Sequence, residues 1–485
     1  MKALIIGGGI IGCSVAWRLA RENAAVTVIE RGRIGREASW AAAGMIAPQA
    51  EAQSGGPFFD FCVRAREGFE ETARMVLAES GVDPEYDDHG IIYLAFNPTD
   101  REELEARGRW QIAAGGAVEE LSPADARKLE PAVAPGTIYA LHLPLDRRTD
   151  NRRLTQAYAA AAVAKGAEFV EGTRVDRIIV EHGRASAVRT DDGRLHQADV
   201  VINAAGAWAA QVRGLEDDAI SSYPVRGQIV CFDARPGMIG PSLFSLRGYI
   251  VPRRDGRILA GSTMEEAGYD KSVTLNGIEK ITRAAIEMTP SLNELRFREA
   301  WAGLRPATRD FLPIIGRSPT VPNVVYATGH FRSGILLSAI TGECVADLVF
   351  ERSPTLLIEP FSPQRFAAAP KVRALGLVRD ILFRSRIDAA AQALALDVAY
   401  ASNLEQAGAR VAQAQPAVIF VDLSDASFPA EATAHQMRSA AGSVRLIGFA
   451  SHVDLKSLTA AREAGFELTL SRSEFTMRLP ELLKL

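Results

Sequence analysis

Lys2-Ala3-Leu4-Ile5-Ile6-Gly7-Gly8-Gly9-Ile10-Ile11-Gly12, followed by the apolar run Val26-Thr27-Val28-Ile29 that ends on Glu30, decides the fold. A short strand runs into a glycine turn that opens a helix, and an acid closes the next strand. Each glycine meets a separate demand: Gly7 makes the tight turn, Gly9 lets the backbone approach a pyrophosphate, and Gly12 lets the helix lie close on the strand. The pyrophosphate of a dinucleotide then sits at the helix N-terminus, beside Ile10 and Ile11, where free N–H groups and the macrodipole favour negative charge. The Glu30 carboxylate is suited to accept hydrogen bonds from ribose hydroxyls and repels a 2′-phosphate, which argues for FAD or NAD over NADP.

Composition bounds the rest. A chain of 485 residues is long for one domain and predicts two or three. The net charge of −4, with both signs interspersed, gives no electrostatic reason to expect nucleic acid or an anionic membrane. Cys13, Cys62, Cys231 and Cys344 are dispersed, as are the seven histidines, so no metal site or redox pair is expected and the thiols read as free, in a reducing cytoplasm. The glycines interrupt the N-terminal apolar stretch, no cleavage region follows it, and no run approaches the ~20 residues of a membrane span.

Further along, Arg36-Glu37-Ala38-Ser39-Trp40-Ala41-Ala42-Ala43-Gly44-Met45 is rich in small residues that permit close approach to a flat ligand, with the Ser39 hydroxyl available to it. Ile202-Asn203-Ala204-Ala205-Gly206-Ala207-Trp208 reads as a strand that stops at a small-residue turn. Val324-Val325-Tyr326-Ala327-Thr328-Gly329-His330-Phe331-Arg332-Ser333-Gly334-Ile335 reads as strand, glycine and then an apolar helix whose N-terminus would stabilise negative charge on a reduced isoalloxazine. Between these elements, Gly90-Ile91-Ile92-Tyr93-Leu94-Ala95, Gly227-Gln228-Ile229-Val230-Cys231-Phe232 and Gly248-Tyr249-Ile250-Val251-Pro252 have the β-branched, glycine-bounded character of strands, and residues 101–115 and 277–288 read as helices.

Taken together, and with Trp301-Ala302-Gly303-Leu304-Arg305-Pro306 and Tyr249-Ile250-Val251-Pro252-Arg253, these motifs resemble the D-amino-acid oxidase family of flavoproteins over about residues 1–350, nearest to its glycine-oxidase branch of the ThiO type, which serves thiamine biosynthesis. The resemblance implies an α/β fold: a Rossmann-type FAD-binding domain (about 1–85, 141–215 and 323–352) and an inserted α+β substrate domain (about 86–140 and 216–322) built on an antiparallel sheet. It implies FAD, held through Gly7, Gly9, Ile10, Ile11, Gly12, Glu30, Arg31, Ser39, Ala43, Gly44 and Met45. Val175, in the strand Thr173-Arg174-Val175, matches the position whose backbone meets the adenine. Ala205, Gly206 and Trp208, and Gly329, His330, Phe331, Arg332, Ser333, Gly334 and Ile335, complete the implied contacts.

For catalysis it implies that Arg305 grips an amino-acid carboxylate with two parallel hydrogen bonds, that Tyr249 donates to the same carboxylate, and that Arg332 lies near the substrate and the flavin edge. The implied reaction moves a hydride from the substrate Cα to flavin N5, after which water hydrolyses the imino acid and oxygen is reduced to peroxide. No protein acid or base is strictly required. Relatives with covalent flavin use a cysteine near the position of Arg305; residues 296–320 contain none, so noncovalent FAD is expected. Residues 50–59 and 264–269 are expected to cap the pocket, with glycine as the best substrate guess and sarcosine and small D-amino acids accepted. A dehydrogenase with another electron acceptor, and a flavin-bearing regulatory protein, are the competing readings.

Residues 353–371, with Pro354, Pro360, Pro363 and Pro370, read as a linker. Residues 372–485 alternate strand and helix, which predicts a flavodoxin-like α/β domain with helices on both faces of a parallel sheet. This tail resembles a response-regulator receiver: Asp422 ends the third strand and Ser451 the fourth. The acidic pair is reduced at best to Asp380, and the lysine of the last strand is replaced by a residue such as Arg472. These departures favour an interaction or dimerisation module that does not take up phosphate.

Overall fold

Ala3 and Ile5 face one way and Leu4 and Ile6 the other, and this alternation seats the first strand, Lys2–Ile6, between two cores. The computed structural model describes residues 1–215, 218, 220–353, 356–366, 372–394, 396–441 and 444–483. It divides into two units, Met1–Ala367 and Ala368–Leu485.

In the first unit a six-stranded sheet runs Ile314–Arg317, Val324–Thr328, Val200–Asn203, Lys2–Ile6, Ala25–Ile29, Glu168–Val170, parallel except for its first strand. Helices Ile10–Arg21, Asn151–Ala164 and Ser338–Val349 cover one face; the three-stranded sheet of Val175–Glu181, Arg184–Thr190 and Leu195–Gln197 covers the other. Parallel strands buried on both faces read as continuous apolar runs, as these do.

A second, eight-stranded sheet is assembled from two stretches of chain. Its order is Arg296–Ala307, Tyr223–Asp233, Arg257–Gly261, Gly248–Pro252, Ser242–Ser245, Ile91–Ala95, Tyr139–Leu143, Glu119–Leu121. The expected antiparallel sheet is instead mixed, because Ser242–Ser245 pairs parallel with Ile91–Ala95 where the two stretches meet. Helix Leu275–Met288 packs on one face. The other face carries Tyr249, Ile229 and Trp301 against Ala41, Ala43 and Ala47.

Two local expectations shift. The strand expected over Thr173-Arg174-Val175 begins at Val175. The apolar helix expected after the glycine that follows strand Val324–Thr328 begins only at Ser338, and residues 329–337 run as loop and turns.

Part of the stretch read as linker packs against the first unit. Phe361 is fully buried, with its ring centroid 4.8 Å from that of Phe61 and 6.1 Å from that of Phe58. Arg365 pairs with Asp310 at 2.7 Å, and Phe366 is buried. Pro354 and Pro370 lie outside the described residues.

The second unit holds a five-stranded parallel sheet in the order Asp397–Tyr400, Val372–Leu377, Val418–Asp422, Arg445–Ala450, Leu468–Ser471. Helices Ile381–Gln392 and Arg472–Leu482 bury Phe383, Ile387, Phe475 and Leu479 on one face. Helices Leu404–Ala414, Ala430–Ala441 and Leu455–Glu463 bury Val411, Met437 and Leu458 on the other. Among the described residues no helix is long and apolar enough to cross a membrane, and all four cysteines are free and buried.

Candidate active site

One cavity in the first unit, with an empty volume of about 1940 Å³ including its open mouth, joins the glycine turn to the inner face of the eight-stranded sheet. Gly7 has φ +102°, and a Cβ there would sit 2.6 Å from the Ala204 carbonyl oxygen, so the turn between two neighbouring strands demands glycine. Gly12 does not line the cavity. A Cβ on it would lie 1.9 Å from the Gly7 oxygen, so it serves close packing of helix on turn.

Helix Ile10–Arg21 starts at Gly9 with no side-chain cap and no acid in its first turn. Its positive end therefore faces the cavity wall formed by Gly7, Gly9, Ile10 and Ile11. The Ile10 amide donates to Ser39 Oγ at 2.8 Å. Glu30 is buried; its carboxylate accepts from the Gly8 amide at 2.7 Å and the Gly32 amide at 2.8 Å while lining the cavity. Arg31 stacks 3.5 Å above the Trp208 ring, and Val175, Ala205 and Gly206 line the same end.

The small-residue segment is held by its carbonyls. Asn151 Nδ2 donates to Ser39 O at 2.7 Å, Arg152 Nε to Trp40 O at 3.1 Å and Trp301 Nε1 to Ala41 O at 3.1 Å. Arg253 Nη2 donates to Ala43 O at 3.0 Å and the Thr149 amide to Gly44 O at 2.8 Å. With these acceptors satisfied from the protein side, Ser39, Ala43 and Gly44 present small side chains and backbone to the cavity, and Met45 lines it beside them. An uncapped helix end, a ribose-competent carboxylate and a wall of small residues fit a flavin dinucleotide.

At the sheet end the register places the chemistry. Tyr249 pairs with Gly261, Gly261 with Ile229 and Ile229 with Trp301, while Arg305 pairs with Val225. Since side chains alternate, Tyr249, Trp301 and Arg305 share one face. The glycines beside them make room: a Cβ on Gly227 would sit 2.2 Å from the Arg305 guanidinium, and one on Gly261 would sit 2.6 Å from the Tyr249 hydroxyl. Arg305 Nη1 donates to Thr263 O at 3.0 Å and Nη2 to Ser262 Oγ at 2.8 Å. Burial lowers the Arg305 pKa, and Tyr249 beside it opposes that shift.

Arg332 reaches the same cavity and pairs with Glu51. His330 lines it too, with its Nε2 3.0 Å from Thr341 Oγ1; burial pushes its pKa down to about 3, so the ring is neutral at neutral pH. Phe331 holds φ +45°, uncommon for an aromatic residue and found where surrounding structure fixes it; its amide donates to Pro306 O. Ser333, Gly334 and Ile335 line the cavity. Gly329 does not, because its face abuts Thr308.

The structure therefore gathers every sequence-derived site residue except Gly12 and Gly329 around one cavity. It adds Glu51, Gly227 and Ser262, which sequence reasoning missed. Glu51 falls in the stretch expected to cap the pocket, whereas the two others carry no signal outside the sheet register.

A family model described as FAD dependent oxidoreductase matches residues 2–348. A glycine oxidase of Bacillus licheniformis is 35% identical over 367 residues, covering 75% of this chain and 96% of that protein. A bifunctional protein ThiO/ThiG of Synechocystis sp. is 34% identical over 370 residues, covering 75% of this chain and 54% of that protein. The crystal structure of a glycine oxidase from Geobacillus kaustophilus superposes with a TM-score of 0.72 at 31% identity, covering 74% of this chain and 98% of that one.

Proposed function

This chain belongs to the DAO family of FAD-dependent oxidoreductases, and from that premise we propose that it is an oxidase of glycine or another small amino acid that passes electrons to oxygen. The observation that carries the reading is the pair Arg305 and Tyr249, on the sheet face that opens into the same cavity as the dinucleotide turn. Bound FAD supplies a two-electron acceptor, and Gly7, Gly9, Ile10, Ile11, Glu30, Ser39 and the segment 43–45 are the residues that hold it.

The chain's own residues position the substrate. The planar fork of Arg305, fixed by Ser262 and Thr263, orients a carboxylate by two charge-assisted bonds, and Tyr249 adds a third donor. Orientation of the substrate Cα then accounts for most of what the protein does, since the neutral amine's own lone pair drives the oxidation. His330, kept neutral by burial, adds no competing positive charge. The products are an imino acid, which water converts to a keto acid and ammonia, and hydrogen peroxide. The likeness to the glycine oxidases and to the ThiO/ThiG protein supports glycine as substrate and thiamine biosynthesis as its setting.

Anaerobic mixing with glycine, sarcosine and D-alanine, followed by air and a peroxide assay, tests this. Bleaching of the flavin and then peroxide is the expected result. Bleaching without peroxide supports a dehydrogenase, and a yellow protein that no amino acid bleaches overturns the reading.

For the second unit we propose a receiver-like interaction module that does not take up phosphate. The strand order, second-first-third-fourth-fifth, is that of flavodoxin-like sheets. Asp422 is buried at the end of the third strand, and Arg472 Nη2 already donates to it at 3.4 Å. Asp380 is engaged as a helix cap, accepting from the Leu382 amide at 2.9 Å. Incubation with acetyl phosphate and Mg²⁺ is expected to leave the mass unchanged; a phosphoryl group on Asp422 would overturn this.

A further inference from the structure

Glu51 meets Arg332 at the substrate end of the cavity, with Oε2 2.5 Å from Nη2, and both line it together with Tyr249 and Arg305. The acid ends a one-turn helix, Pro48–Glu51, too short to hold itself. Buried Asp146 accepts from the amides of Gln49 and Ala50 at its start, at 3.4 and 2.8 Å. The buried Arg107 guanidinium donates to the carbonyls of the same two residues. Arg66 ties Asp146 to the Gln49 side chain. Glu51 is thus a charge displayed from a clamped element.

The two arginines of the site differ in their partners. Arg305 donates to neutral oxygens, of Thr263 and Ser262, and so keeps a positive charge for a ligand. Arg332 is met by a carboxylate. With Glu51 in place the three groups sum to a single positive charge, matching one carboxylate.

We infer that Glu51 is a specificity-determining residue that limits the site to ligands carrying one carboxylate, by occupying Arg332 and by repelling a second acidic group. A second carboxylate entering the cavity must either displace Glu51 from Arg332 or lie beside it unpaired, and both penalise the dianion. The inference rests on the reading of the cavity as an amino-acid site, yet binding of unreactive acids tests it without turnover.

The experiment uses the full-length, FAD-loaded protein and follows the flavin absorbance while titrating malonate and malonamate, which have the same shape and differ by one carboxylate. The wild type is expected to bind malonamate about tenfold or more tightly than malonate. Glu51→Gln, which keeps the volume and removes the charge, is expected to reverse that order, moving the ratio by about a hundredfold. Adding Arg332→Met to Glu51→Gln is expected to cancel the gain. Equal binding of the two acids by the wild type overturns the inference, even where the Gln variant does not fold. So does an unchanged ratio in Glu51→Gln, or a gain that survives loss of Arg332. Charge preference without oxidation of any amino acid sinks the oxidase reading alone; oxidation without charge preference sinks this one alone.

Discussion

Arg305→Met is expected to retain FAD and to lose about three orders of magnitude in kcat/KM for the amino-acid substrate, about 4 kcal/mol of transition-state binding. Methionine keeps much of the side-chain volume but removes the fork that Ser262 Oγ and Thr263 O hold at 2.8 and 3.0 Å. The substrate carboxylate then enters a partly buried site with Tyr249 as its remaining designed donor, and its desolvation is no longer offset by a paired charge. Arg305→Lys separates charge from geometry: it restores the cation without the planar fork and should recover only part of the loss. Steady-state kinetics with glycine, alongside the flavin spectrum, reads both. Turnover of the methionine variant within tenfold of wild type would remove Arg305 from carboxylate recognition.

Arg253→Met should act on the other half of the cavity, by loosening the protein around its cofactor. The Arg253 guanidinium is buried and donates to Thr149 O at 2.6 Å, Asn151 Oδ1 at 2.7 Å and Ala43 O at 3.0 Å. Burial lowers its pKa to about 10, against the opposing charge of Asp150, so it remains a cation at neutral pH. Removing it leaves those acceptors unpaired in the interior and Asp150 short of one positive neighbour. The expected cost is about 3 kcal/mol, since stripping one partner from a buried charged network leaves the others desolvated and unsatisfied. Because Ala43 belongs to the segment against the cavity, the variant should also lose FAD on desalting where the wild type keeps it. An unchanged melting temperature together with full flavin retention would show that Thr149, Asn151 and Ala43 find other partners.

What the sequence disclosed followed the range of the interactions. The turn at residues 7–12 was legible because its demands are local: a left-handed Gly7, a helix start at Ile10 and an acid closing the next strand at Glu30. The alternating helices and strands of the second unit were legible for the same reason, since periodicity marks an element whatever it pairs with. Strand direction was not. Nothing in Ser242–Ser245 states that it lies parallel to Ile91–Ala95, because the same apolar alternation suits either direction. The helix expected after Gly329 was misplaced because apolar residues 335–337 continue its pattern, while turns such as the one closed by the Leu337 amide on Ser333 O fill the interval. Glu51 was hidden because its partner, Arg332, is brought to it by tertiary structure alone. Gly227 reads as a strand boundary, and Gly261 carries no local signal; only the register shows each lying under a neighbour's polar side chain.

The burial of Phe361 between Phe58 and Phe61 bears on how the oxidoreductase unit can be handled by itself. A shortened chain that stops at 352, where the enzyme-like motifs run out, leaves an aromatic socket without its plug and bares an adhesive apolar surface to other molecules. Fourteen further residues, as far as Phe366, carry the plug along with the Arg365–Asp310 latch. The end of the family motifs and the end of the compact unit are different places in the chain, and a truncation designed on the first should precipitate where one designed on the second stays dispersed.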